Sequence, residues 1–394
     1  MPQWHAMMRG MLEETRLIYG WGHRREDLAL YGVTTGRRSA QEATGLIGFE
    51  WMRQHLRPAL NQRPAFAHAR NKWMFYRLLD GFGLPIPRTY GLYEPVHGIS
   101  WDGERRLRNP EEVLAELHRL RPDGVVFKPC GGQQGKGLLI LDRIDYEADR
   151  AVTRTGQELS LSGAVAGLDP AGMGAHPGYL LQEPVTNHPA VAVLAPWTAN
   201  TLRIVTLVDL QGEAHLLGVS LTLGGKGSMA SNWHAGGVSV SVDIDSGVMG
   251  RGLLAEGFQW VEEHPDTGVR FTDRPLPGWK AAADVCLRGA LLFPGVRSFG
   301  WDVVLSPTGP VILEANDGWD LRALQVHGRG LLADERVRGL LVAAGAPLPS
   351  GNLVRNGPGR LAAELRTAAR RARGRARRRV TAGLSTALGR MRRT

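Results

Sequence analysis

The sequence predicts an α+β fold built around sheet-borne glycine loops, and three stretches carry that prediction. The first is VVFKPCGGQQGKG at 125–137. Val125, Val126 and Phe127 read as a strand ending on Lys128, and Leu138–Leu141 reads as the next strand. Between them lie four glycines in seven residues and a second lysine, Lys136. Such a backbone can turn its N–H groups toward a nearby anion. The second is GGKGSMASNWHAGG at 224–237, also between strand-like runs and also with a lysine, Lys226. The third is GWDVVLSPTGPVILEAN at 300–316, two strands joined by the turn SPTG. Helical patterns occupy residues 1–60 and recur, with an extended segment between them, up to residue 120.

The opening loop differs from the better-known phosphate loops. A Walker A loop or a dinucleotide fingerprint opens into a helix whose N-terminus holds the phosphate. Here LLIL and Asp142 follow instead. The loop therefore reads as the tip of a hairpin that folds over phosphates as a lid.

Composition narrows the class. At 394 residues, with 43% hydrophobic and 22% charged side chains, the chain is long enough for two or three soluble domains. It has no apolar run of transmembrane length. The start, MPQWHAMMRGMLEETR, has no apolar signal core, and there are only two cysteines, Cys130 and Cys286. A cytoplasmic location is expected. The net charge of +10 belongs to the tail. Residues 355–394 hold 13 arginines against one acid, Glu364, whereas the other 354 residues carry 35 basic and 37 acidic side chains. Specific nucleic-acid binding is therefore not expected. Only five of the 48 basic residues are lysines: Lys72, Lys128, Lys136, Lys226 and Lys280. In an arginine-biased chain, surviving lysines mark places that need a compact ammonium.

In chain order, residues 1–64 read as a helical region, with Leu46, Ile47, Trp51 and Leu56 at helical spacing within 40–56. His23, Arg24 and Arg25 read as a solvated face or a substrate lining. Residues 65–120 form an α/β segment. Asn71 begins a helix whose apolar face is Trp73, Phe75, Tyr76, Leu78 and Leu79. Lys72 falls in its first turn, where the helix dipole disfavours a cation unless an anion is near. Pro110–Leu120 is an amphipathic helix. Residues 121–185 form a lid subdomain, in which 142–177 is a connection with one short helix. GYLLQEPV at 178–185 is a strand that leaves the sheet at Pro184. Residues 186–354 form a second subdomain. Its strand at 200–209 carries Arg203, which needs an anion or a structural carboxylate as partner. Asn232 and His234 lie in the second glycine loop. Glu314 and Asn316 share one face of their strand, and hairpin pairing can bring Asp302 onto it. Two carboxylates and an amide suit Mg²⁺, with Mn²⁺ as a substitute. Two inward acids without function are the structural alternative. Residues 355–394 are a basic amphipathic stretch suited to an anionic membrane surface or an acidic protein partner, or to a solubilising tail.

Taken in order, Lys72, Lys128 before its glycine lid, QEPV, Arg203, Asn232 before HAGG and Asp302…Glu314-Ala315-Asn316 resemble the ATP-grasp superfamily. That superfamily includes D-alanine–D-alanine ligases, glutathione synthetases and glutamate-adding ligases. EPVTNHPAVAVLAPWTANTLRIVT looks most like its sugar-transfer-associated subgroup. The resemblance covers about residues 65–330. It implies an ATP-grasp fold, two α+β subdomains clamping ATP. Lys72 and Lys128 would contact the nucleotide. Gly131, Gly132, Gln133, Gln134, Gly135 and Lys136 would cover the β- and γ-phosphates. Gln182, Glu183 and Val185 would form the adenine hinge. Arg203 and Asn232 would face the γ-phosphate, and Asp302, Glu314 and Asn316 would hold the metal. Lys226 stands where some glutamate ligases carry an arginine. Two departures stand out. No acid follows the hinge, so Asn187 or His188 would meet the ribose. The metal motif runs on as DGWD, which would add Asp317 or Asp320 to the acceptor pocket. The implied reaction joins a carboxylate to an amine, on a sugar-acid, amino-acid or peptide substrate, at the cost of ATP. A small-molecule kinase and a non-catalytic nucleotide-binding partner recruited through the tail are the alternatives.

Overall fold

A computed structural model describes residues 12–131, 136–171, 176–228, 231, 233, 236–328 and 330–350. The basic tail, most of the first glycine loop, and Asn232 and His234 in the second lie outside the described residues. The chain divides after Met52, with Arg53–Leu348 as one compact unit. The N-terminal region thus ends earlier than residue 64. Asn61 shows why: its amide is spent on Ser298 and Asp317, deep in the larger unit.

The stretch 40–56 is not one helix. Ala40–Ala43 and Phe49–Trp51 are separate short helices, and a π-helical turn, Met52–Leu56, follows. Gly48 causes the break. A Cβ there would stand 2.2 Å from the Gly22 carbonyl carbon, so two backbones touch where a helix would need a side chain. His23 is fully buried, and Arg24 donates two bonds to Glu50 Oε1 at 2.9 and 2.7 Å. His23 is thus not solvated, Arg24 is partly exposed, and Arg25 is exposed as a solvated face requires.

The larger unit contains two seven-stranded antiparallel sheets. The first is formed by β1 (Thr89–Tyr93), β2 (Ile99–Ser100), β3 (Val125–Pro129), β4 (Leu139–Asp145), β5 (Arg150–Thr153), β6 (Glu158–Ser160) and β7 (Tyr179–Gln182). Their order is β2-β1-β7-β3-β4-β5-β6. β3 and β4 pair as a hairpin, Val126 facing Ile140, and most of the lysine-glycine loop between them lies outside the described residues. Two expectations change here. The stretch 142–177 holds β5 and β6 as well as the helix Leu161–Ala166. The segment 65–120 is not separate from the lid, because β1 pairs with β7.

The second sheet is formed by β8 (Thr201–Val208), β9 (Ala214–Leu223), β10 (Val238–Val242), β11 (Met249–Leu254), β12 (Trp260–Val261), β13 (Ser298–Ser306) and β14 (Gly309–Asn316). Their order is β12-β11-β10-β9-β8-β13-β14. Alternation sets the faces: Leu202, Ile204, Leu221, Val238 and Val240 are buried and join one core with the helix Trp279–Ala290. That core also takes in Phe75, Tyr76 and Leu79 from the helix Lys72–Gly81, which Asn71 caps by accepting the Met74 N–H. Phe75 stacks on Phe293 at 5.7 Å. No helix among the described residues is long and apolar enough to cross a membrane.

Candidate functional site

The site begins as a row across three strands. In the register of the second sheet, Asp302 on β13 faces Arg203 on β8 and Glu314 on β14. Residues directly opposite in neighbouring strands share a face, so the three charged groups lie side by side. The Arg203 guanidinium donates to both Asp302 oxygens, at 2.6 and 3.1 Å. Asn316 donates to Glu314 Oε1 at 3.2 Å and to Asp302 Oδ2 at 3.4 Å. Gly300 makes room: a Cβ there would meet Trp319 at 2.5 Å and the Arg203 Cδ at 3.2 Å. Burial raises the Asp302 carboxyl, against the pull of Arg203 and with the push of Glu314. Burial also opposes ionised Glu314, but Lys128, the bond shared with Asp302 and Lys72 outweigh it and hold that carboxyl down. The pair therefore shares charge unequally, Glu314 being the ionised member.

Two lysines close on this row from the first sheet and its flanking helix. Lys128, at the end of β3, donates to the Leu313 carbonyl at 2.9 Å and to the Tyr76 hydroxyl at 3.2 Å. Tyr76 donates its own proton to the same carbonyl. Lys72 reaches the Cys130 carbonyl at 3.5 Å. Burial lowers both ammonium groups, and Lys72, with Lys128 beside it, falls to about 8. Glu314 works against this shift in each. A lysine from the first sheet, a second from the helix Lys72–Gly81 and the acids of the second sheet thus come together around Leu313 and Glu314.

The remaining sequence-derived candidates divide. Gly131 is half-buried and Lys136 exposed. Gly132, Gln133, Gln134, Gly135 and Asn232 lie outside the described residues. Gln182 is buried, and its amide donates to Thr89 Oγ1 at 3.0 Å, a bond inside the sheet. Glu183 is exposed and donates its N–H to the Arg88 carbonyl at 2.8 Å, while Val185 is half-buried. Asn187 is spent at both ends of its amide on the Thr198 carbonyl and the Asn200 N–H. That occupies the groups expected to meet a ribose. His188 accepts the Ala190 N–H as a helix cap. Lys226 is exposed, its backbone N–H bound to Asp266, and no residue of the row is among its partners. Asp317 does not add a free acid to a pocket, because Arg57 and Arg70 both bond it. Asp320 is bonded by Arg322 at 2.6 Å yet lies near enough to Arg203 to raise the latter's basicity.

Sequence reasoning missed Tyr76 and the pair Arg57 and Arg70. Tyr76 looked like one more apolar helix residue. The arginines lie about 250 residues from Asp317 in sequence, so nothing in spacing joins them. Among the described residues no three His, Cys, Asp or Glu side chains gather as a metal site. The oxygen set available is two carboxylates and one amide, which is hard-donor chemistry.

Two α+β layers meeting at lysines, a strand arginine and a carboxylate pair define the class as ATP-grasp. The chain belongs to the sugar-transfer associated ATP-grasp family, whose model matches residues 51–338. Among solved structures it is similar to the ATP-grasp ligase PsnB complexed with a minimal precursor, at 16% identity and a TM-score of 0.37. That match covers 72% of this chain and 64% of the other, just under two thirds of its length. It is also similar to biotin carboxylase from Campylobacter jejuni, at 11% identity and a TM-score of 0.43, covering 73% of this chain and 48% of that one. An L-amino acid ligase from Bacillus licheniformis matches at 14% identity and a TM-score of 0.35, covering 64% and 41%. No curated protein matches the sequence.

Proposed function

We propose that this protein is an ATP-dependent carboxylate–amine ligase that releases ADP and phosphate, acting on a sugar-acid, amino-acid or peptide substrate. The observation that carries the reading is the convergence of Lys128 and Lys72 on the Arg203–Asp302–Glu314–Asn316 row. A carboxylate oxygen of the substrate attacks the γ-phosphorus, the bond to the ADP oxygen breaks, and an acyl phosphate forms. An amine then attacks the acyl carbon, phosphate leaves, and the amine proton goes to solvent. No nucleophile from the protein is needed, so positioning and charge carry the catalysis.

The residues divide that work. Lys72 and Lys128 neutralise phosphate oxygens on one side. Arg203 faces the transferring phosphoryl group from the other, oriented by Asp302. Asp302, Glu314 and Asn316 would hold Mg²⁺; when bound, the ion supplies positive charge to the phosphate oxygens. Two adjoining carboxyls that repel one another fit a divalent cation well, since it relieves their repulsion. Gly131–Gly137 with Lys136 serves as the phosphate lid, and Gln182, Glu183 and Val185 as the adenine hinge. Asn232 and Lys226 complete the catalytic set beside the acceptor. The 360–394 segment is assigned to an acidic partner or an anionic membrane face at the cytoplasmic side.

The test is incubation with ATP, Mg²⁺, pooled amino acids and pooled uronic acids. Equal release of ADP and phosphate, dependent on both pools, is expected. AMP with pyrophosphate, or ADP without phosphate, sinks the reading.

A further inference from the structure

A second ionic cluster lies one residue beyond the row. Asp317 follows Asn316 directly and is nearly buried, its side chain 7% exposed. Arg70 donates to both its oxygens, at 2.9 and 3.1 Å, and Arg57 donates to Oδ2 as well. Two permanent cations therefore face one carboxylate, and the cluster keeps a surplus positive charge. Each guanidinium offers five N–H donors. Only three of the ten are engaged by described residues, and the Arg57 Nε is buried without a partner. The Arg57 side chain remains 26% and that of Arg70 47% exposed.

The cluster is rigidly built. Both guanidinium planes lie against the Phe66 ring, 4.9 and 4.7 Å from its centre. The Asn61 amide, itself buried, ties the Asp317 carbonyl to Ser298 at 2.8 and 2.9 Å. Gly318 lets Arg57 approach: a Cβ there would stand 2.8 Å from its Cζ. A partner that only needed to neutralise Asp317 would require one arginine, without an aromatic platform or a glycine. Such a fork beside the end of β14 matches planar anionic oxygens.

The geometry points to Arg57 and Arg70, oriented by Asp317, as the binding site for a carboxylate group of the substrate. This rests on the ligase reading and adds the residues that recognise the acid. Asp317 is the positioning residue, and the two arginines make the contact.

The test is isothermal titration of the full chain with D-glucuronate, L-glutamate and inorganic phosphate, and separately with ADP and Mg²⁺. At least one carboxylate should bind. Arg57→Gln and Arg70→Gln should each weaken that binding by at least about tenfold while ADP affinity stays within about twofold. Arg70→Lys keeps the charge on Asp317 but loses the fork, so it should weaken carboxylate binding and leave folding intact. Where a glutamine variant loses ADP binding and so has failed to fold, the lysine variant decides, and unchanged carboxylate affinity overturns the site. No carboxylate binding to the native chain overturns it too. Phosphate bound more tightly than either carboxylate, and lost in the same variants, overturns the carboxylate assignment in favour of a phosphate site. Native chain that binds a carboxylate through these arginines but not ADP refutes the ligase reading and leaves the site standing.

Discussion

The two ionic clusters at the end of β14 are neighbours in the chain and opposites in behaviour. In the row and the lysines beside it, burial opposes every charge: it raises Asp302 and lowers Lys128 and Lys72, the last to about 8, while Glu314 stays ionised against it, held by Lys128. Around Asp317, burial pushes the same way, yet Arg70 and Arg57 win and hold the carboxyl below its ordinary range. The difference is the neighbouring charge: Asp302 has the Glu314 carboxylate beside it, which works with burial against ionisation, whereas Asp317 faces two arginines. On the proposed reading the first cluster meets a metal and phosphate, and the second, whose two cations are permanent guanidinium groups, recognises an anion.

The comparison breaks most sharply at Glu314. Glu314→Gln removes the ionised member of the carboxylate pair and should cut ADP release about 10²–10³-fold, with carboxylate binding unchanged in titration. A loss under about tenfold would mean that the row is structural.

Arg203→Met comes next. It leaves Asp302 without its two-bond partner and should cost about 3 kcal/mol in urea unfolding, because a half-sealed charge is left unpaired. Adding Asp302→Asn should recover part of that loss. A double variant no more stable than Arg203→Met would show that the pair does not act as one.

The pH dependence of Lys72 separates the clusters further. Its folded value, about 8, lies below its ordinary 10.5, so the unfolded chain binds more protons between those values. Stability from this group therefore rises with pH from about 8 to 10.5, and the penalty of burying the charge is fully present below 8. Lys72→Met should stabilise the free protein below pH 8, with the gain fading toward 10.5, as read from melting temperatures. In the native chain ATP affinity should fall as pH rises through about 8, and Lys72→Arg should abolish that fall. Carboxylate binding at the arginines should show no such dependence.

The smallest effect belongs to Tyr76. Tyr76→Phe removes one hydroxyl between Lys128 and the Leu313 carbonyl, and Lys128 keeps its own bond to that carbonyl. About 1 kcal/mol of stability should be lost in denaturant titration. A neutral result would show that Lys128 is held by the carbonyl alone.

Much of this was legible in the residues. Period-two alternation gave the strands bearing Arg203, Asp302 and Glu314, and the strands on either side of the lysine-glycine loop pair as a hairpin, as expected. The boundary at 64 was not legible, because Asn61 acts through partners near residue 300. Nor was the break in 40–56, where two glycine-flanked backbones touch. Asn187 offered a plausible polar group for a ribose, but its amide serves the chain itself.

By itself the sequence determined which chemistry was present: which strands carry acids on one face, which loops are free to turn, and where lysine persists in an arginine-rich chain. Those properties depend on residue type and short spacing, which the backbone's two periodicities express directly. Only the tertiary structure decided who meets whom. It set Asp302 between Arg203 and Glu314, brought Lys128 to the Leu313 carbonyl, and gave Asp317 two arginines rather than an open pocket. The reason is physical: sheet register and burial set charge and proton affinity, and both arise from contacts between segments far apart in the chain.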